Sequence, residues 1–355
     1  MKIAALVSGG VDSSVVVHQL KDMGYDPVIF YIQIGMENNE GYIDCSSEED
    51  IEITTFIARK YGCRIEIVSL QKEYWENIIA YTIDTVHRGL TPNPDIMCNK
   101  LIKFGIFEQR WGYEFDKIAT GHYATTTEIN DEIYLSTAFD KVKDQTYFLG
   151  QIDYLQISKL MFPIGHLQKS EVRIIAAKQD LPSAFRKDSQ GICFLGKINY
   201  SNFIRRYLGE KLGKIVELET GKILGNHKGY WFYTIGQRKG LYLSGGPWFV
   251  IKKDVQQNIV FVSNDYKSKI RYSKSLNLER VHFITRNIFD DFIDTKEIAF
   301  KIRHTPKFTF GKIRHIGNVY RIESESKIQG IAAGQFGVIY DKRCKLCLGS
   351  GVIIE

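Results

Sequence analysis

The sequence has few cysteines and prolines and no long apolar run. Its 355 residues include 6 cysteines and 7 prolines. No stretch reaches the roughly 18 consecutive apolar residues of a transmembrane helix, so we expect no membrane span. Six cysteines are too few for a disulfide scaffold of this size, which makes a chemical role the more natural one for any functional cysteine. The apolar stretch behind Met1 is too short for a signal peptide, so we expect a cytoplasmic protein.

Charge is distributed unevenly between the two halves of the chain. Residues 1–195 contain 19 Lys and Arg against 27 Asp and Glu, whereas residues 196–355 contain 28 against 14. A strongly basic half favours a polyanionic partner, although scattered solvated charge would have the same composition. With 44% apolar and 25% charged residues, the chain can bury the cores of two or three domains.

The first half alternates strand-length apolar runs with helical segments. We predict strands at Ile3–Val7, Val28–Ile34, Arg64–Val68 and Lys117–Thr120. Strands that alternate with helices in this way are typical of a doubly wound, parallel α/β sheet.

After Gly209 the pattern changes to short β-branched and aromatic runs between turn residues, and one of these runs, Tyr230–Ile235, is predicted to be a strand. The sequence therefore predicts three domains. They are a catalytic domain over 1–208, a small β-rich central domain over 209–275, and a C-terminal β-barrel over 276–355 that would hold a polyanion.

The segment Ser8–Ser14 lies between the first predicted strand and a helix. Its two glycines allow a tight turn and a close approach to a ligand, while the helix N-terminus and the serine hydroxyls can face an anion. It lacks the lysine of the GxxxxGK[ST] loop and is not GxGxxG. An ordinary glycine-rich turn is the alternative, but the segment resembles the loop of adenylating enzymes that cleave ATP between its α- and β-phosphates.

Two cysteines stand in notable surroundings. Cys98 follows a stiff, proline-containing loop and is predicted near a helix N-terminus, where the dipole favours the thiolate. Cys193 follows Gly191 and lies close to Arg186 and Lys187, whose charges would act in the same direction. Each of them, taken alone, would more often be a buried structural cysteine.

Segments spread along the whole chain resemble those of the bacterial tRNA-specific 2-thiouridylases and occur in the same order. These enzymes are a family of sulfurtransferases with an ATP-pyrophosphatase loop. The resemblance implies an adenine-nucleotide α-hydrolase-like sheet. The segments that carry it are Ser8–Ser14, Thr91–Asn99, Thr120–Ala124, Lys143–Leu149, Asp188–Phe194, Tyr233–Leu241 and Cys347–Ile353.

This resemblance implies a two-stage reaction. ATP, with Mg²⁺, would adenylate the 2-carbonyl oxygen of the wobble uridine of tRNA. Cys193 would carry a persulfide received from an upstream sulfur-carrier protein, and its sulfur would displace AMP. Cys98 would then either form a disulfide with Cys193 or release hydrosulfide for the attack. A carbonyl of this kind is a poor electrophile until its oxygen becomes a good leaving group, which agrees with such a sequence of steps.

The resemblance also assigns site residues one at a time. The ATP site would comprise Leu6, Val7, Ser8, Gly9, Gly10, Val11, Asp12, Ser13, Ile32 and Gly121. The target base would contact Asn93, Pro94 and Asp95, since chemistry on a base requires its extrusion from the stack. The remaining tRNA contacts would be His122, Lys143, Asp144, Gln145, Arg303, His304 and Gln335.

Some of these residues have simpler readings. His122 could be a core histidine, and Lys143–Gln145 could be an ordinary polar turn. The Cys-x-x-Cys of Cys344 and Cys347 lacks a second pair of ligands, so we expect a strand there and no metal site.

Two other functions compete with tRNA thiolation. The first is an adenylating ligase that acts on a small metabolite, which the basic second half disfavours. The second is an RNA-binding protein without activity, which the intact Ser8–Ser14 loop and the two cysteines disfavour.

Overall fold

The computed structural model describes residues 1–34, 46–187, 200–264, 272–289 and 295–354. The strands in these ranges are numbered in chain order: β1 Ile3–Leu6, β2 Val28–Gln33, β3 Ile65–Ser69, β4 Lys117–Thr120, β5 Ala124–Ile129, β6 Glu132–Thr137, β7 Leu160–Met161, β8 Gly213–Glu217, β9 Ile223–His227, β10 Phe249–Asp254, β11 Ile259–Ser263, β12 Tyr272–Phe283, β13 Thr295–Lys301, β14 Thr309–Ile316, β15 Val319–Gln329, β16 Phe336–Asp341 and β17 Leu346–Ile354.

Most of the helices belong to the first 210 residues. The α-helices are α1 Val11–Asp22, α2 Ser46–Tyr61, α3 Gln71–Tyr74, α4 Ala80–His87, α5 Pro94–Cys98, α6 Phe107–Arg110, α7 Tyr154–Lys159, α8 Lys169–Lys178 and α9 Tyr200–Leu208. Wider π-helical segments, Trp75–Ile79 and Asn99–Ile106, join α3 to α4 and α5 to α6. No helix in the described ranges combines the length and apolarity needed to cross a bilayer.

The predicted parallel sheet is confirmed. Its five strands are ordered β3-β2-β1-β4-β7, and all its pairings are parallel. The four residues of β1 are buried, as expected for a parallel strand covered on both faces. From β1 the chain continues to β2 and β3 on one side of β1, and it later returns to add β4 and β7 on the other side. This change of direction opens a crevice at the carboxyl ends of β1 and β4, where open α/β sheets bind ligands.

A hairpin that the sequence analysis did not predict links the first domain to the last. Strands β5 and β6 are antiparallel and are joined at Asn130 and Asp131, which both have positive φ, as a tight hairpin turn requires. At its far edge, β6 pairs with the start of β17, where Cys347 is opposite Leu135. The hairpin therefore extends the barrel sheet into the catalytic domain.

The central domain is a four-stranded sheet ordered β10-β11-β8-β9. The predicted strand at Tyr230–Ile235 is wrong, because residues Tyr230–Phe232 form a single 3₁₀ turn. Tyr230 and Trp231 are consecutive and both buried, whereas a strand would direct them to opposite faces.

The C-terminal domain is a closed barrel of six strands. The order is β12-β15-β14-β13-β16-β17, and pairing of β12 with β17 closes it. Closure leaves no free strand edge among these six. Its core is apolar and contains Leu278, Phe300, Ile322, Ile339 and Ile353.

Buried polar contacts join the barrel to the catalytic domain. Lys301 on β13 lies 3.4 Å from the Asp144 carboxylate, and both side chains are almost fully buried, at 1% and 2% exposure. The Lys301 ammonium also lies 4.1 Å from the centre of the Phe308 ring. Nearby, the Gln151 side-chain amide donates to the backbone carbonyl and to the hydroxyl of Ser350, both at 2.9 Å.

We predict that Asp144→Asn destabilises the protein, because it leaves the buried Lys301 ammonium without a counter-charge. The expected loss is about 3 kcal/mol of unfolding free energy, measured by chemical denaturation. Adding Lys301→Met should recover most of that loss. The exposed pair between Lys342 and Glu297 provides the control, since Glu297→Gln should leave the midpoint unchanged. Equal midpoints for Asp144→Asn and Glu297→Gln would contradict a structural role for the buried pair.

Candidate active site

The loop after β1 forms a tight turn at the N-terminus of α1. Gly9 has a φ of +72°, and a Cβ there would lie 2.8 Å from the Asp50 Cα. The Ser13 hydroxyl accepts from the Ser8 amide at 3.1 Å and donates to the Gly10 carbonyl at 3.1 Å. No side-chain oxygen caps α1. The first turn of a twelve-residue helix is therefore presented at the crevice, the arrangement that suits a phosphate.

Gly121, which follows β4, lies directly against this turn. A Cβ at Gly121 would come 2.9 Å from the Ser13 amide nitrogen. Two residues assigned to the ATP site from separate parts of the chain are thus in contact. Leu6 and Val7 are buried beneath the loop, with Val11 behind it, and Ile32 is half-buried at the end of the neighbouring β2.

Two cations that the sequence analysis did not assign to the ATP site face the loop. The Lys169 ammonium, at the start of α8, donates to both oxygens of Asp12 at 2.7 and 2.8 Å. The Arg186 guanidinium donates to the Gly9 carbonyl at 3.2 Å and pairs with Asp50 on α2. These contacts join residues more than 130 positions apart, so no local pattern could have indicated them.

The loop offers oxygen ligands that suit Mg²⁺. Asp12 contributes a carboxylate and Ser8 and Ser13 contribute hydroxyls, the hard donors that magnesium prefers, while ATP phosphates commonly supply the remaining ligands. In the described ranges, no group of three or more His, Cys, Asp and Glu side chains could hold a metal by itself.

Cys98 lies in the second turn of a helix that begins at Pro94. Asn93 caps this helix by accepting from the Ile96 amide at 3.3 Å. Cys98 is buried, at 1% exposure, and the π-helical segment starts at the next residue. The wider turn displaces backbone carbonyls from their usual partners. The Gln156 side-chain amide donates to two of these carbonyls, those of Lys100 and Phe104, both at 2.9 Å.

The loop assigned to the target base is built jointly with the barrel. The Asn93 side-chain amide donates to Gln335 Oε1 at 3.2 Å, and the Gln335 side-chain amide donates to the Pro92 backbone carbonyl at 2.8 Å. The Tyr147 hydroxyl donates to the Phe336 carbonyl at 3.2 Å. Asn93 and Gln335, 242 positions apart, are therefore direct neighbours. Pro94 is buried, whereas Asp95 is partly exposed.

His122 lies beside the ATP crevice. Its Nδ1 is 2.9 Å from the Thr120 hydroxyl, and its ring is 5.9 Å from that of Phe104. Burial lowers the pKa of His122 to about 3. The imidazole is therefore neutral at physiological pH, and any contact with tRNA would be a hydrogen bond rather than an ion pair.

The predicted RNA turn Lys143–Gln145 lies between the catalytic domain and the barrel. Lys143 and Gln145 are partly exposed, but the Asp144 carboxylate is occupied by Lys301 and by the Ala138 amide at 3.0 Å. His304 Nε2 donates to the Asp144 carbonyl at 2.9 Å. Arg303 is exposed and donates to the Gln329 carbonyl.

The sequence analysis made two predictions about cysteines, and the structure describes the residues of only one of them. Cys193, with the whole of Asp188–Phe194, lies outside the described residues. Cys347 is in β17 and Cys344 is in the turn before it. Burial raises the pKa of both thiols, which disfavours the thiolate that a metal would need.

Comparison with known proteins agrees with this architecture. Family models match three ranges: a tRNA methyl transferase HUP domain at residues 1–197, a tRNA methyl transferase PRC-barrel domain at 201–264 and an aminomethyltransferase beta-barrel domain at 273–353. The tRNA-specific 2-thiouridylase MnmA of Parabacteroides distasonis is 70% identical over 355 residues, which are 100% of this chain and 99% of that protein. The chain belongs to the tRNA-specific 2-thiouridylase family. As a member, it is a transferase.

More distant matches add to the comparison. The 2-thiouridylase MnmA of Porphyromonas gingivalis is 64% identical over 359 residues and covers 100% of this chain and 99% of its own. Among solved structures, the U34-tRNA thiolase NcsA of Methanococcus maripaludis covers 59% of this chain and 67% of its own, with 16% identity and a TM-score of 0.32. That last likeness is too low to bear on function.

We predict that Gly121→Ala impairs ATP use, because the new methyl group would meet backbone rather than a movable side chain. Displacing the first turn of α1 should lower kcat/KM for ATP by about tenfold to a hundredfold. Gly225→Ala is the matched control, since its methyl group would meet only a Leu243 side-chain atom, at 3.2 Å. An unchanged kcat/KM for Gly121→Ala in steady-state assays would show that this contact does not shape the site.

Proposed function

We propose that the chain transfers sulfur to carbon 2 of the wobble uridine of tRNA after ATP has activated the carbonyl oxygen. The observation that carries the proposal is the helix N-terminus at the sheet crevice, held by Gly121 and flanked by Lys169. The family relatives, whose names specify a tRNA 2-thiouridylase, support the acceptor. The family-model descriptions mention methyl transfer, and assay of the product nucleoside separates the two chemistries.

The proposed chemistry has two displacements. The uridine oxygen attacks the α-phosphorus of ATP, the bond to the β-phosphate breaks, and pyrophosphate leaves. A persulfide sulfur then attacks carbon 2, and AMP leaves with the oxygen. Positive charge beside the loop, from Lys169 and the helix N-terminus, would stabilise the charge that develops on the phosphates. Magnesium bound with ATP, near Asp12, would add Lewis-acid stabilisation.

Asn93, Pro94 and Asp95 are proposed to hold the extruded uracil. Asn93 is fixed by the helix it caps and by Gln335, so its amide is pre-organised before the base arrives. Cys98 follows within the same helix and is already excluded from solvent. Its proposed role is to attack the Cys193 sulfur, so that a Cys98–Cys193 disulfide forms while the bond from Cys193 to the outer sulfur breaks. The outer sulfur leaves either as the thiocarbonyl of the uridine, after it has bonded to carbon 2, or as hydrosulfide that then attacks carbon 2. An external thiol reduces the disulfide before the next turnover.

The proposed carrier of the sulfur is Cys193, which lies outside the described residues. An upstream sulfur-carrier protein is the proposed source of that sulfur.

We predict that Cys193→Ser abolishes thiolation but leaves AMP formation measurable, since a hydroxyl cannot carry the persulfide. Cys98→Ser should also block thiolation. Cys63→Ser is the control, because Cys63 is half-buried behind the sheet and should not affect either product. The measurement is AMP and thiolated uridine after incubation with ATP, a persulfide source and unmodified tRNA. Full thiolation by Cys193→Ser would refute the proposed sulfur carrier.

Phosphate contacts by the barrel should appear as salt dependence. Arg303→Ala should weaken tRNA binding and reduce the slope of log affinity against log salt by about one. Arg64→Ala removes an equally exposed cation at the start of β3 and should leave the slope unchanged. Identical slopes for Arg303→Ala and the native protein would contradict a phosphate contact at Arg303.

A further inference from the structure

A buried tyrosine after β4 holds the ATP loop. Tyr123 is 1% exposed, and its hydroxyl donates to the Asp12 carboxylate at 2.8 Å. The same carboxylate accepts from Lys169, whose ammonium lies 5.8 Å from the centre of the Tyr123 ring. The position of Asp12 within the first turn of α1 therefore depends on where Tyr123 places its hydroxyl.

The backbone of the same residue is bonded to the predicted RNA turn. The Gln145 amide donates to the Tyr123 carbonyl at 2.8 Å, and the Tyr123 amide donates to the Gln145 side-chain oxygen at 2.9 Å. Two hydrogen bonds in opposite directions fix the turn and Tyr123 relative to each other. A displacement of one is therefore passed to the other.

The turn is bonded in its own right to the barrel. Asp144, the neighbour of Gln145, pairs with Lys301 and accepts through its carbonyl from His304 Nε2 at 2.9 Å. Arg303 precedes His304 on the exposed side of the barrel. A continuous set of short polar contacts thus runs through Tyr123 from the surface assigned to tRNA to the loop assigned to ATP. A second set reaches Asp12 from Lys143 through Asp140 and Lys169.

We propose that Tyr123 is a positioning residue that couples the two substrates, so that occupancy of the RNA surface raises the affinity of the loop for ATP. The inference rests on the proposed function and concerns how that same site is regulated. RNA at Lys143–Gln145 and the barrel favours one arrangement of the turn. Tyr123 transmits that arrangement to Asp12 and α1. Linkage requires the effect to be reciprocal, so ATP must tighten tRNA binding by the same factor.

The hydroxyl, rather than the ring, is the part that can carry this coupling. The ring fills space in the apolar cluster that also contains Val11, Ala119 and Ile164. Removing the oxygen alone, in Tyr123→Phe, preserves that packing while it breaks the bond to Asp12. Tyr134→Phe is the matched control, because the Tyr134 hydroxyl donates to Glu132 at 2.8 Å within the hairpin and has no bond to the loop.

The test measures binding at equilibrium in the full chain. The probes are an ATP analogue with a methylene bridge between the α- and β-phosphates and an unmodified tRNA transcript. Each affinity is determined with and without the other ligand. We expect a coupling factor of about fivefold or more in the native protein and in Tyr134→Phe, and a clearly smaller factor in Tyr123→Phe. A merely structural role would change the affinity for each ligand by the same factor with and without the other ligand. The coupling factor would then keep its native value.

Two results would overturn the inference: a native coupling factor of one, or a native-like factor in Tyr123→Phe. Gln145→Met removes the side-chain bond between the turn and Tyr123 but keeps the backbone bond, so it should lower the coupling factor. This variant keeps the test decisive if thermal melting shows that Tyr123→Phe does not fold. Failure of the proposed function would look different. The native protein would then form no thiolated uridine from ATP, persulfide and tRNA, whereas normal thiolation without coupling removes only the role of Tyr123.

Discussion

The close approach of Gly121 to the first turn of α1 is the constraint on which the candidate site depends. A side chain at that position would overlap the Ser13 amide, so the first turn of α1 can approach the end of β4 this closely only because Gly121 has none. The contact places a helix N-terminus at the point where the sheet changes direction. Around that contact, Arg186 bonds to the Gly9 carbonyl, and Lys169 and Tyr123 bond to the Asp12 carboxylate.

The barrel is part of the same construction rather than an appended RNA-binding unit. Strand β6 of the catalytic domain continues the barrel sheet at β17, and Lys301 neutralises Asp144 in the interface. Gln335 holds the loop that is proposed to receive the target base. The proposed reaction, which brings a nucleotide, an extruded base and a sulfur together, would gain from such an arrangement, because the two domains proposed to contact RNA are already aligned before the substrate binds.

Local sequence patterns predicted the parallel sheet, the Ser8–Ser14 turn and the barrel, because apolar periodicity and glycine placement are local signals. The hairpin of β5 and β6 was missed although Asn130 and Asp131 mark its turn. Tyr230–Ile235 was predicted as a strand because it is a β-branched and aromatic run between turn residues, but its first three residues form a 3₁₀ turn. The contacts of Lys169 with Asp12 span 157 positions, so they depend on the tertiary fold and leave no pattern in a single sequence.

The most direct test of the central claim follows the fate of one oxygen atom. A tRNA whose target uridine carries an isotopically labelled oxygen on carbon 2 is incubated with ATP, a persulfide source and the protein, and the products are separated by mass spectrometry. If ATP activates that oxygen as proposed, the label appears in the phosphate of AMP, one atom for each uridine thiolated. Label that appears in water, with unlabelled AMP, would contradict the account.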